Sequence, residues 1–256
     1  MSSQTPVVTP FVGPNDPKLG PTAALIAVEP DLTGLVKRAG LPKSPWRSIL
    51  ACRVHVKDPK NGGPCAAGPV LGAPQAVAVL EFLAAWGVRR VIFSGWAGSI
   101  SKDLPAGSVV VPEFGICDEG SSPNYGVAMG GISRPSMDAR NDLCRALTSA
   151  GIKCAGGGVW STDALFRETP EKIERFTGQG AVTVDMEASA LFSAAAFLGI
   201  ECAAVLVVSD ELFTLKWRAG FLDEAFRNAR RAVTEALCPL IFPEKTQKSG
   251  WMSFGR

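Results

Sequence analysis

Histidine is nearly missing: the 256 residues contain one, His55. That excludes a histidine-built metal centre. The seven cysteines (Cys52, Cys65, Cys117, Cys144, Cys154, Cys202 and Cys238) are odd in number and form no C-x-x-C pair. Neither a disulfide framework nor a cysteine zinc site is expected, and the usage suits a reducing cytoplasm. Charge of one sign is also lacking. With 26 basic and 24 acidic side chains the net charge is +2 and no basic stripe appears, so there is no footprint for a phosphate backbone and no nucleic acid partner is expected. Residues 1–20 lack the basic start and apolar run of a signal peptide. No uncharged apolar stretch approaches the roughly 18 residues of a membrane span. No G-x-G-x-x-G joins a strand to a helix with a carboxylate about 20 residues on, which removes a dinucleotide oxidoreductase.

What is present reads as one large α/β domain. The chain is 46% hydrophobic, and this length suits a single core. A proline-rich extended arm is expected over residues 1–22, the folded domain over 23–240 and a tail over 241–256. Apolar runs at 23–28, 49–56, 88–94, 108–111, 155–160 and 203–208 read as strands. Helices are expected from Pro30 or Asp31 to about 39, over 74–86, 138–150, 187–198 and about 222–237, with a short one from Pro170. Residues 112–137, rich in Gly, Ser and Pro, read as a long loop. Alternating strands and helices predict a three-layer α/β sandwich around a central mixed, mostly parallel sheet. In such sheets, sites form at the carboxyl ends of strands. The candidate loops are Gly95-Trp96-Ala97-Gly98, residues 161–167 and residues 209–212.

Three segments carry chemistry. In Val184-Asp185-Met186-Glu187-Ala188-Ser189-Ala190, a strand leads through two carboxylates into a small-residue helix. A carboxylate there can accept two hydrogen bonds from a vicinal diol, or it can simply cap the helix. In Val207-Val208-Ser209-Asp210-Glu211, an aspartate follows an apolar strand, placed for proton transfer or for another cap. In Phe93-Ser94-Gly95-Trp96-Ala97-Gly98, glycines after a strand allow a backbone to approach a ligand, or form an ordinary turn.

Taken together, over about residues 23–213, these segments resemble the nucleoside phosphorylase superfamily. The 23-residue interval from Glu187 to Asp210 is the specific part. Leu71-Gly72-Ala73-Pro74, Gly107-Ser108-Val109-Val110 and Ser161-Thr162-Asp163-Ala164-Leu165-Phe166 support it. The resemblance implies cleavage of the N-glycosidic bond of a nucleoside, purine by default. Glu187 would bind the ribose hydroxyls and Met186 would pack on the sugar. Asp210, with neighbouring Ser209, would meet the base and protonate it, a step worth roughly 10²–10⁴-fold. Phe166 or Leu165 would cover a base face, and Asp163 would be supporting structure. No metal or organic cofactor is implied, phosphate being the candidate co-substrate. A cytoplasmic homo-oligomer is also implied.

The sequence departs from the family at the phosphate. Where phosphorylases place an Arg two residues before the Gly-x-x-Gly segment and a Ser or Thr after its first glycine, this chain has Phe93 and Trp96. Their early Gly-Asp-Pro-x-x-Arg motif is missing, and Asn15-Asp16-Pro17 lacks its Arg. Ala27-Val28-Glu29-Pro30-Asp31 is closer to the nucleosidase branch, in which Glu29 or Asp31 would activate water. The nucleophile region is thus Gly95, Trp96, Ala97, Asp31 and Glu29, with Arg134, Arg140 and Arg167 as substitute phosphate ligands or solvated surface charges. The stretch Arg167-Glu168-Thr169-Pro170-Glu171 does not reproduce the spacing of the Gln and Arg with which uracil-selective members read their base beyond the Phe. The borrowed family histidine is absent too, since His55 reads as a strand residue. A phosphate-independent nucleosidase and a non-catalytic nucleoside-binding protein are the other readings of the same pattern.

Overall fold

The computed structural model describes residues 6–14, 16, 19–59 and 61–243. Part of the expected arm (1–5, 15, 17 and 18) and most of the expected tail (244–256) lie outside the described residues.

The element order is β1 (Thr22–Ile26), α1 (Glu29–Arg38), β2 (Arg47–Ile49), β3 (Cys52–Val56), β4 (Cys65–Gly68), α2 (Ala73–Ala85), β5 (Arg90–Ser99), β6 (Val109–Val110), β7 (Phe114–Asp118), β8 (Ile132–Ser133), α3 (Met137–Ser149), β9 (Cys154–Ala155), β10 (Gly158–Thr162), α4 (Pro170–Gly178), β11 (Ala181–Asp185), α5 (Ala188–Leu198), β12 (Glu201–Glu211), β13 (Arg218–Ala219) and α6 (Glu224–Ile241).

Period-two alternation decides the layering, because successive strand side chains point to opposite faces. In β12, Ala204, Leu206 and Val208 join one core cluster while Ala203, Val205 and Val207 join the other. In β1, Ala23 and Leu25 face the first cluster, Ala24 and Ile26 the second. The first cluster is closed by α2 and α5, the second by α1, α3 and α6. Both faces of the sheet are therefore buried, and the strands read as nearly continuous apolar runs. The result is the three-layer sandwich expected from the sequence. Its sheet is mixed, and its long central ladders (β1 with β4, β1 and β12 with β5, β10 with β7 and β11) are parallel.

Strand β5 organises the site by branching. Its residues Arg90–Ser94 pair with β1, it runs parallel to β12 along its length, and at Gly98 and Ser99 it pairs antiparallel with β11. The carboxyl ends of β5, β11 and β12 consequently meet. The branch requires Gly98: a Cβ there would lie 2.5 Å from Leu212 Cδ1 and 3.1 Å from Val184 Cγ1.

Several local expectations need correction. Gly95-Trp96-Ala97-Gly98 is no turn; it continues β5, because ladder bonds on both edges outweigh the glycines' turn preference. Ser209 and Asp210 lie within β12, not in a loop, with a register shift between Val208 and Asp210 that leaves Ser209 as a bulge. The run at 49–56 is a hairpin, broken at Leu50 and Ala51, which both take positive φ. The run at 155–160 is two strands, β9 and β10, separated by Gly156 and Gly157. Residues 112–137 hold β7, β8 and a 3-10 turn at Ser122–Tyr125, where pairing with β10 supplies order that local composition did not signal. β4 has no signal in the sequence, because Cys-Ala-Ala-Gly carries little strand preference. His55 is a buried residue of β3 whose Nδ1 lies 2.9 Å from the Pro42 carbonyl oxygen. All seven cysteines are free. No helix among the described residues is long and apolar enough to cross a membrane.

Candidate active site

The converging strand ends enclose a cavity of about 520 Å³, within the usual range for small-molecule sites. Glu187 and Asp210, distant in sequence, both line it. So do Met186, Ser209, Leu165, Phe166, Trp96 and Ala97.

The geometry at Glu187 separates binding from capping. Glu187 stands at the N-cap position of α5 yet makes no side-chain cap bond. Asp185 takes that role: its Oδ2 accepts from the Ala188 N–H at 2.9 Å, and its Oδ1 accepts from the Ser161 hydroxyl at 2.5 Å. Relieved of the cap, the Glu187 carboxylate turns towards the cavity. Its Oε1 accepts from the Gly72 N–H at 2.6 Å. Gly72 holds φ at 79°, a conformation natural to glycine. Burial, followed by repulsion from Asp185, raises the pKa of the Glu187 carboxyl. Burial also raises that of Asp185, while the Ser161 hydrogen bond opposes the shift.

Asp210 owes its aim to the Ser209 bulge, since an extra residue in one strand reorients the side chain after it. Its Oδ1 accepts from the Ser209 hydroxyl at 2.6 Å and its Oδ2 from the Trp217 indole N–H at 2.8 Å. Oδ2 also lies where a Cβ on Gly98 would come within 3.3 Å, so the strand glycine keeps the floor beneath it open.

Sequence reasoning missed Glu168, Trp217 and Phe221, which also line the cavity. Glu168 directly precedes Thr169, the N-cap of α4, and no local pattern distinguishes it from surface charge. Burial and then the nearby Asp210 carboxylate push its carboxyl up to about 7, with Lys172 opposing. Trp217 and Phe221 come from the segments flanking β13, whose position follows from pairing with β12.

Other candidates lie elsewhere. Glu29 is half exposed, ion-paired with Arg53 and hydrogen-bonded by the Thr33 hydroxyl at 2.8 Å. Asp31 is buried behind Trp96: it accepts from the Trp96 indole N–H at 2.7 Å and from Arg230 at 2.6 Å. Helix α1 begins at Glu29, so both carboxylates project from its first turn and neither lines the cavity. Gly95 is not at the cavity wall; its α-carbon faces the Phe93 ring and Ala27. Arg140 pairs with Glu113 at 3.0 Å, Arg134 sits over the Phe114 ring, and Arg167 is exposed. Asp163 ties down the neighbouring loop by accepting from the Gly120 N–H at 2.8 Å. Among the described residues, the cavity wall carries four carboxyl groups (Glu168, Asp185, Glu187 and Asp210) and no Lys, Arg or His.

The family model of the phosphorylase superfamily matches residues 22–241. The chain belongs to the phosphorylase superfamily. A purine nucleoside phosphorylase of DeoD type from Bacillus cereus is 29% identical over 156 residues, covering 57% of this chain and 63% of the relative. The match thus spans less than two thirds of that relative's length. Among solved structures, uridine phosphorylase from Vibrio fischeri superposes with a TM-score of 0.76 at 20% identity, covering 95% of this chain and all of the other (100%). AMP nucleosidase from Bacteroides thetaiotaomicron gives a TM-score of 0.66 at 19% identity, covering 84% and 87%. The branched β5 and the meeting of three strand ends are the framework on which this superfamily member builds its cavity.

Proposed function

We propose that this protein is an enzyme that cleaves the N-glycosidic bond of a purine nucleoside, with water as the nucleophile. The observation that carries the reading is the cavity wall itself: a Glu187 carboxylate released from capping and the Asp210 carboxylate line one cavity, with no cationic side chain among the described residues of its wall. Glu187 accepts hydrogen bonds from the 2′ and 3′ hydroxyls, and Met186 packs against the sugar. As the C1′–N bond lengthens, positive charge grows on the ribose and electrons move into the base. The carboxylate lining favours the first change; for the second, the base takes a proton through Asp210 from the Asp210–Glu168 carboxyl pair, and the proton lost by the attacking water replaces it. Glu168, adjacent to Asp210, keeps its proton up to about pH 7 and below that offers the base a second carboxyl, able to donate. The exposed Phe166 and Leu165 at the mouth cover a base face.

Water is favoured over phosphate by electrostatics. A dianion entering a cavity whose described lining holds four carboxyl groups and no cation meets repulsion without a compensating partner. Trp96, with its indole held by Asp31, occupies the position where phosphorylases carry a small hydroxyl residue. The purine default rests on the DeoD-type relative's name and on residues 167–171, which do not reproduce the spacing of the uracil-reading pair. The apolar rim at the mouth suits cover by a neighbouring copy in a cytoplasmic homo-oligomer.

The test is incubation with purine nucleosides, with and without phosphate, followed by analysis of the sugar. Free ribose at a rate independent of phosphate is expected. Ribose 1-phosphate formed only when phosphate is present would overturn the choice of nucleophile. Release of no base at all would overturn the enzymatic reading in favour of a nucleoside-binding protein.

A further inference from the structure

A second cleft, of about 500 Å³, lies between α1 and α6, on the far side of Trp96 from the cavity. Its charge is the inverse of the cavity's. Lys37, Arg38, Arg230 and Arg231 line it, against Asp31 and Glu235. Arg230 is committed to Asp31 at 2.6 Å. Lys37, Arg38 and Arg231 form no ion pair among the described residues, so three free cations face one remaining carboxylate, Glu235.

The helical repeat makes this arrangement. Residues 30, 31, 34, 37 and 38 fall on one flank of α1, and residues 230, 231, 234 and 235 on the facing flank of α6. Gly34 adds no side chain to the flank, which keeps the space between the helices open. Unpaired like charges held along one concavity repel each other and raise the local potential. A compact anion relieves that repulsion, and guanidinium groups match phosphoryl oxygens in geometry as well as charge.

We propose that the α1/α6 cleft is a binding site for a phosphoryl dianion, separate from the nucleoside cavity. Lys37, Arg38 and Arg231 supply the charge. Arg230 stays with Asp31 at the inner end, behind Trp96. The phosphoryl group could belong to inorganic phosphate or to a nucleoside monophosphate, and the chemistry in the cleft is the same for both.

Calorimetric titration of the full chain tests this at constant ionic strength, with inorganic phosphate in one arm and adenosine 5′-monophosphate in the other. Three proteins are compared: wild type, the exposed pair Lys37→Glu with Arg231→Glu, and Asp210→Asn in the cavity. Saturable phosphate binding is expected in the wild type. The paired variant should weaken it by about tenfold or more, as expected for lost charge-assisted contacts, while Asp210→Asn should leave it unchanged. Binding only of the monophosphate, with the same dependence on Lys37 and Arg231, supports the site and assigns its ligand to nucleotides. Saturable binding that the charge reversals leave intact, or no binding in either arm, overturns the proposal. The readout is binding, so it stands apart from whether nucleosides are turned over. Circular dichroism of the paired variant checks that both exposed substitutions leave the fold in place.

Discussion

The indole N–H of Trp217 donates a hydrogen bond to Oδ2 of Asp210 at 2.8 Å, across the turn between β12 and β13. Trp217 is otherwise exposed, so this contact joins a surface residue to the proposed proton donor. The Ser209 hydroxyl holds the other oxygen. The Asp210 carboxylate is thereby oriented from both sides before substrate arrives. Replacing Trp217 with Phe keeps a ring at the wall but removes the donor. A contact this exposed is worth about 1 kcal/mol, so base release should slow roughly fivefold with little change in Tm. Steady-state kinetics beside a thermal melt make the check; an unaltered kcat removes Trp217 from the positioning of Asp210.

Asp210→Asn keeps the shape of the site and removes the group that can pass a proton to the base. Turnover on the true substrate should fall by about 10²–10⁴-fold, the range for a positioned acid. Nucleoside binding, measured by thermal shift, should survive. Wild-type rates in this variant would refute the role given to Asp210.

Glu168 predicts a pH dependence. Its carboxyl titrates near 7 because of burial and the adjacent Asp210. If the protonated form serves the base, activity falls as pH rises through that value. Glu168→Gln cannot ionise, so its profile should lose that alkaline limb. In stability the sign is the same: a pKa raised by folding favours the folded state at low pH, and that contribution disappears as pH climbs from the unfolded carboxylate range through about 7. The Gln variant should show a flatter Tm against pH over this window. An alkaline limb preserved in the variant assigns it to another group.

Asp185 and Glu187 should behave oppositely in stability. Asp185→Ala removes the cap of α5 and the Ser161 partner, a loss of about 1–3 kcal/mol. Glu187→Gln removes a carboxylate whose charge is disfavoured by burial and by Asp185. Its stability should match or exceed that of the wild type at alkaline pH, while ribonucleoside binding weakens. Chemical denaturation of both variants at about pH 8, above the ordinary carboxylate range, decides the matter. A Glu187→Gln protein destabilised as much as Asp185→Ala would make Glu187 a structural residue.

Gly98→Ala tests the strand branch. The new methyl would meet Leu212 Cδ1 at 2.5 Å, and overpacking of this kind costs typically about 1–3 kcal/mol. It also approaches Asp210, so activity should fall further than stability alone explains. A variant with unchanged Tm and rate would show that the junction has more room than its contacts imply.

Much of the frame was legible along the chain. The apolar runs that became β1, β5 and β12 and the small-residue helix α5 announced themselves by composition. The order of the Met-Glu and Ser-Asp segments pointed to the superfamily. Legibility failed where ladder pairing overrode local preference. Gly95 to Gly98 carries turn residues but is held straight by its strand partners. Residues 112–137 hold strands because β10 lies beside them. Glu29 and Asp31 stood equally well for a water-activating carboxylate until α1 directed one to Arg53 and the other to Trp96 and Arg230.

Sequence alone determined the alternation of strand and helix, the two-faced burial of the sheet, and the identity of the acids available for chemistry. Those properties follow from side-chain periodicity, which is local. Tertiary structure decided which acids meet. A one-residue bulge at Ser209, the release of Glu187 through capping by Asp185, and the arrival of Glu168 and Trp217 beside Asp210 all depend on register between segments far apart in the chain. Register is set by the packing of the whole sheet, so no single stretch of residues contains it.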